Sequence, residues 1–170
     1  MAKKTSSVAL VAVIILIGAL AGCQKSHIQV LQEQVKKNPN DVKAHTDLAY
    51  QLTEMKRYEE AIEHYDIAIS LRPGDFMATN NKAHVYYEMG KYDKALEIFM
   101  SLIKDDPKNS LLYSNVAMCF HNMKKYNDAY IGYMKALELN PKNGKAADGF
   151  KILEQDMKTE GLPFPPAPPK

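Results

Sequence analysis

The chain has 170 residues, with 22 Lys and Arg against 20 Asp and Glu, no Trp and two Cys. Lys3 and Lys4 supply the whole net charge of +2, so the rest of the chain is formally neutral and offers no basic field to hold nucleic acid. Two cysteines exclude a disulfide framework, and the length suits one domain.

The first predicted element is a signal. Met1-Ala2-Lys3-Lys4 is a short basic head, and an uncharged apolar run follows from Val8 to Ala21. Its 14 residues fall short of the roughly 20 that a membrane-spanning helix needs, so the run reads as the core of an export signal over residues 1–22. It ends in Leu20-Ala21-Gly22-Cys23, where two small residues permit close approach by a peptidase and the cysteine offers a thiol for acylation. These four residues resemble the lipobox of bacterial lipoproteins. The resemblance implies cleavage before Cys23, lipid on Cys23 as the covalent anchor, and a mature chain that begins there. Residues 23–26 are then a short tether, and three extended residues reach only about 10 Å. With Cys23 acylated, Cys119 is the one thiol left. Its neighbours Val116, Ala117 and Phe120 make it a buried, inert position.

Ile28, Leu31 and Val35 recur at helical spacing until Asn38-Pro39, which predicts an N-terminal helix within 27–41. A 34-residue period then governs the chain. Tyr58, Ala61, Tyr65 and Pro73 return as Tyr92, Ala95, Phe99 and Pro107, and again as Tyr126, Ala129, Tyr133 and Pro141. A period of this length marks a solenoid, here with repeats at 42–75, 76–109 and 110–143. Each repeat follows a Pro-x-Asp/Asn turn: the proline stops one helix, and Asp41, Asp75, Asn109 or Asn143 caps the next. In the middle copy Tyr92, Ala95, Leu96, Phe99, Leu102 and Ile103 form one apolar stripe. Ala61, Ala95 and Ala129 let helices approach closely while the aromatic side chains fill the space beside them.

Residues 42–143 therefore resemble three tetratricopeptide repeats, with Gly90, Tyr92, Ala95, Phe99 and Pro107 on the family's pattern. The resemblance implies an all-α fold, an α-solenoid of antiparallel helix pairs. The chain departs from the pattern at His45 and Thr79, which replace the usual large aromatic, at Lys82, and at Lys56 and Lys124, which stand where Gly90 is the turn glycine. Residues 144–160 predict a further helix, with Ala146, Phe150 and Leu153 on its apolar side, that caps the solenoid. Gly161 ends it. The Pro-rich stretch 161–170 is expected to be a flexible, extended tail.

No phosphate loop, nucleophile elbow or His-Glu-x-x-His pattern occurs, so the chain is read as a non-enzyme without a bound cofactor or metal. Function is expected on the first helices, which line the concave side of such a solenoid and on which the family binds extended peptides or proteins. The positions turned away from the apolar stripe are Thr46, Asp47, Tyr50, Thr53 and Glu54 in the first repeat. The second contributes Met77, Asn80, Asn81, His84, Tyr87 and Glu88; the third contributes Leu111, Ser114, Asn115, Met118, His121 and Asn122. Amides can pair with the main chain of an extended segment, and Tyr and Met give adaptable apolar contact. One subclass of the family clamps C-terminal carboxylates. Only Asn81 fits that clamp here, while Thr46, Tyr50, Leu111 and Asn115 occupy its other places, which argues against a carboxylate-tail ligand.

The sequence thus reads as a lipid-anchored adaptor of a bacterial envelope that holds a protein partner, in the manner of assembly factors for pili or secretion pores. Gln24 after the lipid site favours the outer membrane, facing the periplasm. Two other readings compete. One is a metal-carrying or enzyme-associated lipoprotein using His84, His121 and Met118; the other is self-association through the convex face.

Overall fold

The computed structural model describes residues 27–165, so Cys23, the signal and residues 166–170 lie outside it. Among the described residues all regular structure is helical: α1 (27–37), α2 (Val42–Glu54), α3 (Tyr58–Leu71), α4 (Phe76–Glu88), α5 (Tyr92–Asp105), α6 (Ser110–Asn122), α7 (Tyr126–Leu139) and α8 (Gly144–Thr159). Together they form an all-α solenoid of helical hairpins. The chain falls into two compact units, one up to Pro73 and one from Gly74.

The stop-and-start turns follow from local chemistry. Arg72, Asp106 and Asn140 leave the helix at φ near −135°, −133° and −146°, as the residue before a proline is driven to do. Two residues beyond each proline a side-chain oxygen takes up an orphan N–H. Asp41 accepts from Ala44, Asp75 from Ala78 and Asn143 from Ala146 at 2.9–3.1 Å, whereas Asn109 caps one residue earlier, accepting from Leu111 at 3.2 Å.

The first helix of each pair ends in the same motif. The N–H groups of Lys56 and Arg57 bond back to Thr53 and Leu52, those of Gly90 and Lys91 to Tyr87 and Tyr86, and those of Lys124 and Lys125 to His121 and Phe120. This closure needs a left-handed residue at its centre, and Lys56 (φ 59°), Gly90 (φ 72°) and Lys124 (φ 58°) supply it. Gly161 (φ 69°) closes α8 in the same way, with Leu162 bonded to Met157.

Burial follows the repeat columns. In the first unit α2 packs on α3, and Ala49, Leu52, Ala61, Tyr65 and Ala68 are fully buried. The second unit has two adjoining cores. One gathers Ala83, Ala95, Phe99, Leu112 and Cys119 from α4–α6; the other gathers Ala117, Ala129, Tyr133, Ala136, Leu153 and Met157 from α6–α8. Glycine permits two close approaches there. A Cβ on Gly132 would stand 2.9 Å from that of Ala117, and one on Gly149 would enter the Tyr133 ring at 2.5 Å.

The C-terminal stretch departs from expectation within its described part. Phe164 packs edge-on to Tyr130 and Phe150, with ring centroids at 5.8 and 6.4 Å. The Phe164 ring therefore rests against α7 and α8, because the turn at Gly161 sends an aromatic residue back to an aromatic patch that the proline count does not reveal.

Candidate functional site

The sequence-predicted surface lies on both units. In the first, Tyr50 is half exposed on α2. In the second, α4, α6 and α8 present successive first-helix faces, and side chains bond between neighbouring ones. Asn115 donates from Nδ2 to Asn80 Oδ1 at 3.3 Å and accepts at Oδ1 from Lys145 Nζ at 2.8 Å. Nearer the helix ends, Asn122 donates to the Tyr87 hydroxyl at 2.8 Å, and His121 Nε2 pairs with Asp156 Oδ2 at 2.9 Å.

These bonds sort the expected residues. Ser114 is fully buried and its hydroxyl donates to the Leu111 carbonyl, so it holds α6 rather than facing a partner. Asn115 is 4% exposed and spends its amide inside the ladder. Both belong to the scaffold under the surface, Asn115 bonded to Lys145 where α8 packs on α6. Met77 and Leu111 stand out at 63% and 40% exposure, and Asn80, Asn81, Tyr87, Met118 and His121 are partly exposed. Glu88 is exposed and its carboxylate lies 3.9 Å from His84 Nε2; the His84 ring leans on Tyr87 at 5.8 Å between centroids.

Between α6 and α8 the surface deepens into a cleft of about 570 Å³. Met118 and Ile152 give it apolar walls, Tyr87 and His121 flank it, and Lys145 and Asp156 reach it from α8. Lys145 is half-buried there, and that burial draws its ammonium below the ordinary lysine range. Cys119 lies beneath, its thiol pushed up to about 12 by burial, which leaves no thiolate for chemistry near neutral pH.

Sequence reasoning assigned α8 only a capping role and so missed Lys145, Ile152 and Asp156. The period itself contains the signal. One more step of 34 from Leu111, Met118 and Asn122 lands on those three residues. A second omission is in the first unit, where His45, 3% exposed, directs Nδ1 at His64 Nδ1 (3.0 Å) and Nε2 at the Pro39 carbonyl (3.0 Å). A carbonyl only accepts, so His45 carries its proton on Nε2 and receives a hydrogen bond from His64. Among the described residues no three His, Cys, Asp or Glu side chains converge as a metal site, and no helix is long and apolar enough to cross a membrane.

Stacked helical hairpins with a polar, aromatic face and a cleft of ligand size define an interaction solenoid. Models of the tetratricopeptide repeat match residues 23–67, 52–119 and 111–143, which together exceed half of the chain, and the protein belongs to the tetratricopeptide-repeat family. No curated protein matches the sequence. Among solved structures, MamA of Desulfovibrio magneticus RS-1, from its residue 41 to the end, is 20% identical with a TM-score of 0.68, covering 90% of this chain and 88% of that one. The tetratricopeptide domain of Sgt2 from Aspergillus fumigatus is 22% identical (TM-score 0.64; 76% and 88% covered). The first such domain of Spaghetti (RPAP3), solved with the HSP90 peptide SRMEEVD, is 20% identical (TM-score 0.61; 69% and 93%). These likenesses are of fold. The fold is that of a protein-interaction scaffold, a class that is typically non-enzymatic.

Proposed function

We propose that the protein is a lipid-anchored adaptor of the bacterial envelope that holds a protein partner, as an extended segment, on the first-helix face of its repeats. The cleft between α6 and α8 carries this reading. Exposed Leu111 and Met77 stand one and two periods before its Lys145 on the preceding first helices, and the cleft offers amide and aromatic groups rather than a reacting centre. An extended segment needs main-chain partners and shallow apolar seats, and this face has both. The lipid anchor rests on the resemblance of Leu20-Ala21-Gly22-Cys23 to a lipobox, and placement at the outer membrane rests on Gln24. Assembly of an envelope machine such as a pilus or secretion pore is the service such an adaptor performs.

Crosslinking in intact membranes followed by purification tests the proposal. A specific partner is expected to be captured by the unaltered protein and lost with the double variant Asn81→Ala, Tyr87→Ala, whose folding is checked by its helical signal. Undiminished capture by a folded double variant overturns the first-helix face as the site.

A further inference from the structure

Lys145 is the structure's unexplained charge. It sits in the first turn of α8, in the cleft, at the position that carries Met77 and Leu111 in the two preceding repeats. Its ammonium is half-buried, and the acceptor that holds it is a neutral amide, Asn115 Oδ1, at 2.8 Å. Among the described residues no carboxylate comes within ion-pair distance. The other charged groups of the cleft are differently placed: Lys124 is exposed and paired with Glu160, Asp156 is paired with His121, and Asp148 is exposed at the rim. Taking an ammonium partly out of water is costly unless a charge compensates it; in contact the structure supplies only the Asn115 dipole, and the field of the Glu88 carboxylate, beyond ion-pair distance, does not offset the burial.

That arrangement has the features of a preformed anion seat. The Lys145 side chain is fixed by its bond to Asn115, so little freedom is lost when an anion arrives, and part of its desolvation is already spent in folding. Beside it, Met118 and the exposed Ile152 offer an apolar step. A lone ammonium is a point charge that suits one side-chain carboxylate. A chain terminus held in the groove calls for further cations, and Met77 and Leu111 stand in the same column of the two repeats before it.

Building on the adaptor reading above, we infer that the α6–α8 cleft selects partner segments with an internal Asp or Glu next to an apolar residue, the carboxylate seated on Lys145 and the apolar side chain on Met118 and Ile152. The recognition is of an acidic–apolar pair within an extended stretch of a protein.

A peptide display library tests this. The full chain in detergent is panned against random peptides whose C-termini are fused to the carrier, so that no free carboxylate terminus contributes. Enrichment of sequences pairing Asp or Glu with a large apolar residue is expected. For the selected peptides, binding to Lys145→Met should weaken about tenfold or more and lose most of its dependence on salt, whereas Lys145→Arg should bind nearly as the parent does. Lys145→Glu should reverse the selection toward basic residues. A matched thermal melt of each variant separates lost charge from lost folding. Enriched peptides without an acidic position, or with affinity indifferent to Lys145, overturn the acidic seat and leave the adaptor face standing. A library that yields no binder to the unaltered protein overturns both.

Discussion

At the scale of single residues, the pair His45–His64 shows how a departure from the repeat pattern is accommodated. The position that usually takes a large aromatic is filled by a buried imidazole, and both its nitrogens are bonded, to His64 and to the Pro39 carbonyl. Burial is the main force on His64, and the neighbouring His45 adds to it. Together they hold the His64 imidazole below its ordinary value of 6.5, against weaker opposition from Glu63 and Glu60. A histidine whose folded value lies below its unfolded one binds more protons when unfolded at mildly acidic pH. Its contribution to stability is complete above about 6.5 and is lost as the pH falls from there through the lower folded value. Thermal melts from pH 7.5 to 5 should show falling stability, and His64→Gln, which keeps a donor for His45 without the titration, should flatten that slope. An equal slope in the variant would show that other groups set the acid sensitivity.

At the scale of elements, α8 is both a cap and a wall, and Gly149 is the residue that allows it to be both. Its missing side chain lets α8 lie against the buried Tyr133 ring. A methyl group there would sit 2.5–2.6 Å from three ring and hydroxyl atoms of a side chain with no room to move. Gly149→Ala should destabilise the protein by about 1–3 kcal/mol, as overpacking does. Gly144→Ala, whose Cβ would meet nothing within 4 Å, should melt close to the parent. Denaturant melts of the two variants compare a helix-propensity gain common to both with the clash unique to one.

The helices, their turns and their buried columns were legible in the sequence because each is set by local chemistry repeated at a fixed interval: a proline stop, an Asp or Asn cap, a small residue where backbones meet. Lys56 and Lys124 adopt the left-handed conformation of Gly90 because the same two closing hydrogen bonds demand it. The binding face was less legible. Ser114 and Asn115 point away from the apolar stripe of their own helix, yet both are buried, Asn115 bonded to Asn80 and Lys145 on the flanking first helices, and exposure depends on such neighbours as well as on periodicity. Lys145 and Ile152 were hidden for the complementary reason. An amphipathic terminal helix reads as a cap, and only its register with Leu111 and Met118 shows that it continues the functional face.

At the scale of the whole molecule, the adaptor proposal makes the anchor and the binding face separable. A mature chain with balanced charge has no electrostatic hold on an anionic membrane surface, and among the described residues no helix can span a bilayer. If residues 20–23 act as a lipobox, membrane retention rests on Cys23 alone. One acyl chain binds membranes marginally and two or more hold firmly, so on that proposal a multiply acylated Cys23 would keep the protein at the bilayer while the repeats search for a partner close to its surface. Cys23→Ala should therefore shift the protein from the membrane pellet to the soluble or unprocessed pool. The same protein in detergent extracts should still bind whatever peptide the repeats select, with unchanged affinity. Fractionation with mass measurement of the N-terminal peptide checks the first outcome, and titration with a selected peptide checks the second. A Cys23→Ala protein that stays wholly in the pellet after correct processing would show that something other than lipid holds it there. Loss of peptide affinity in a folded variant would show that the anchor and the repeats do not act independently.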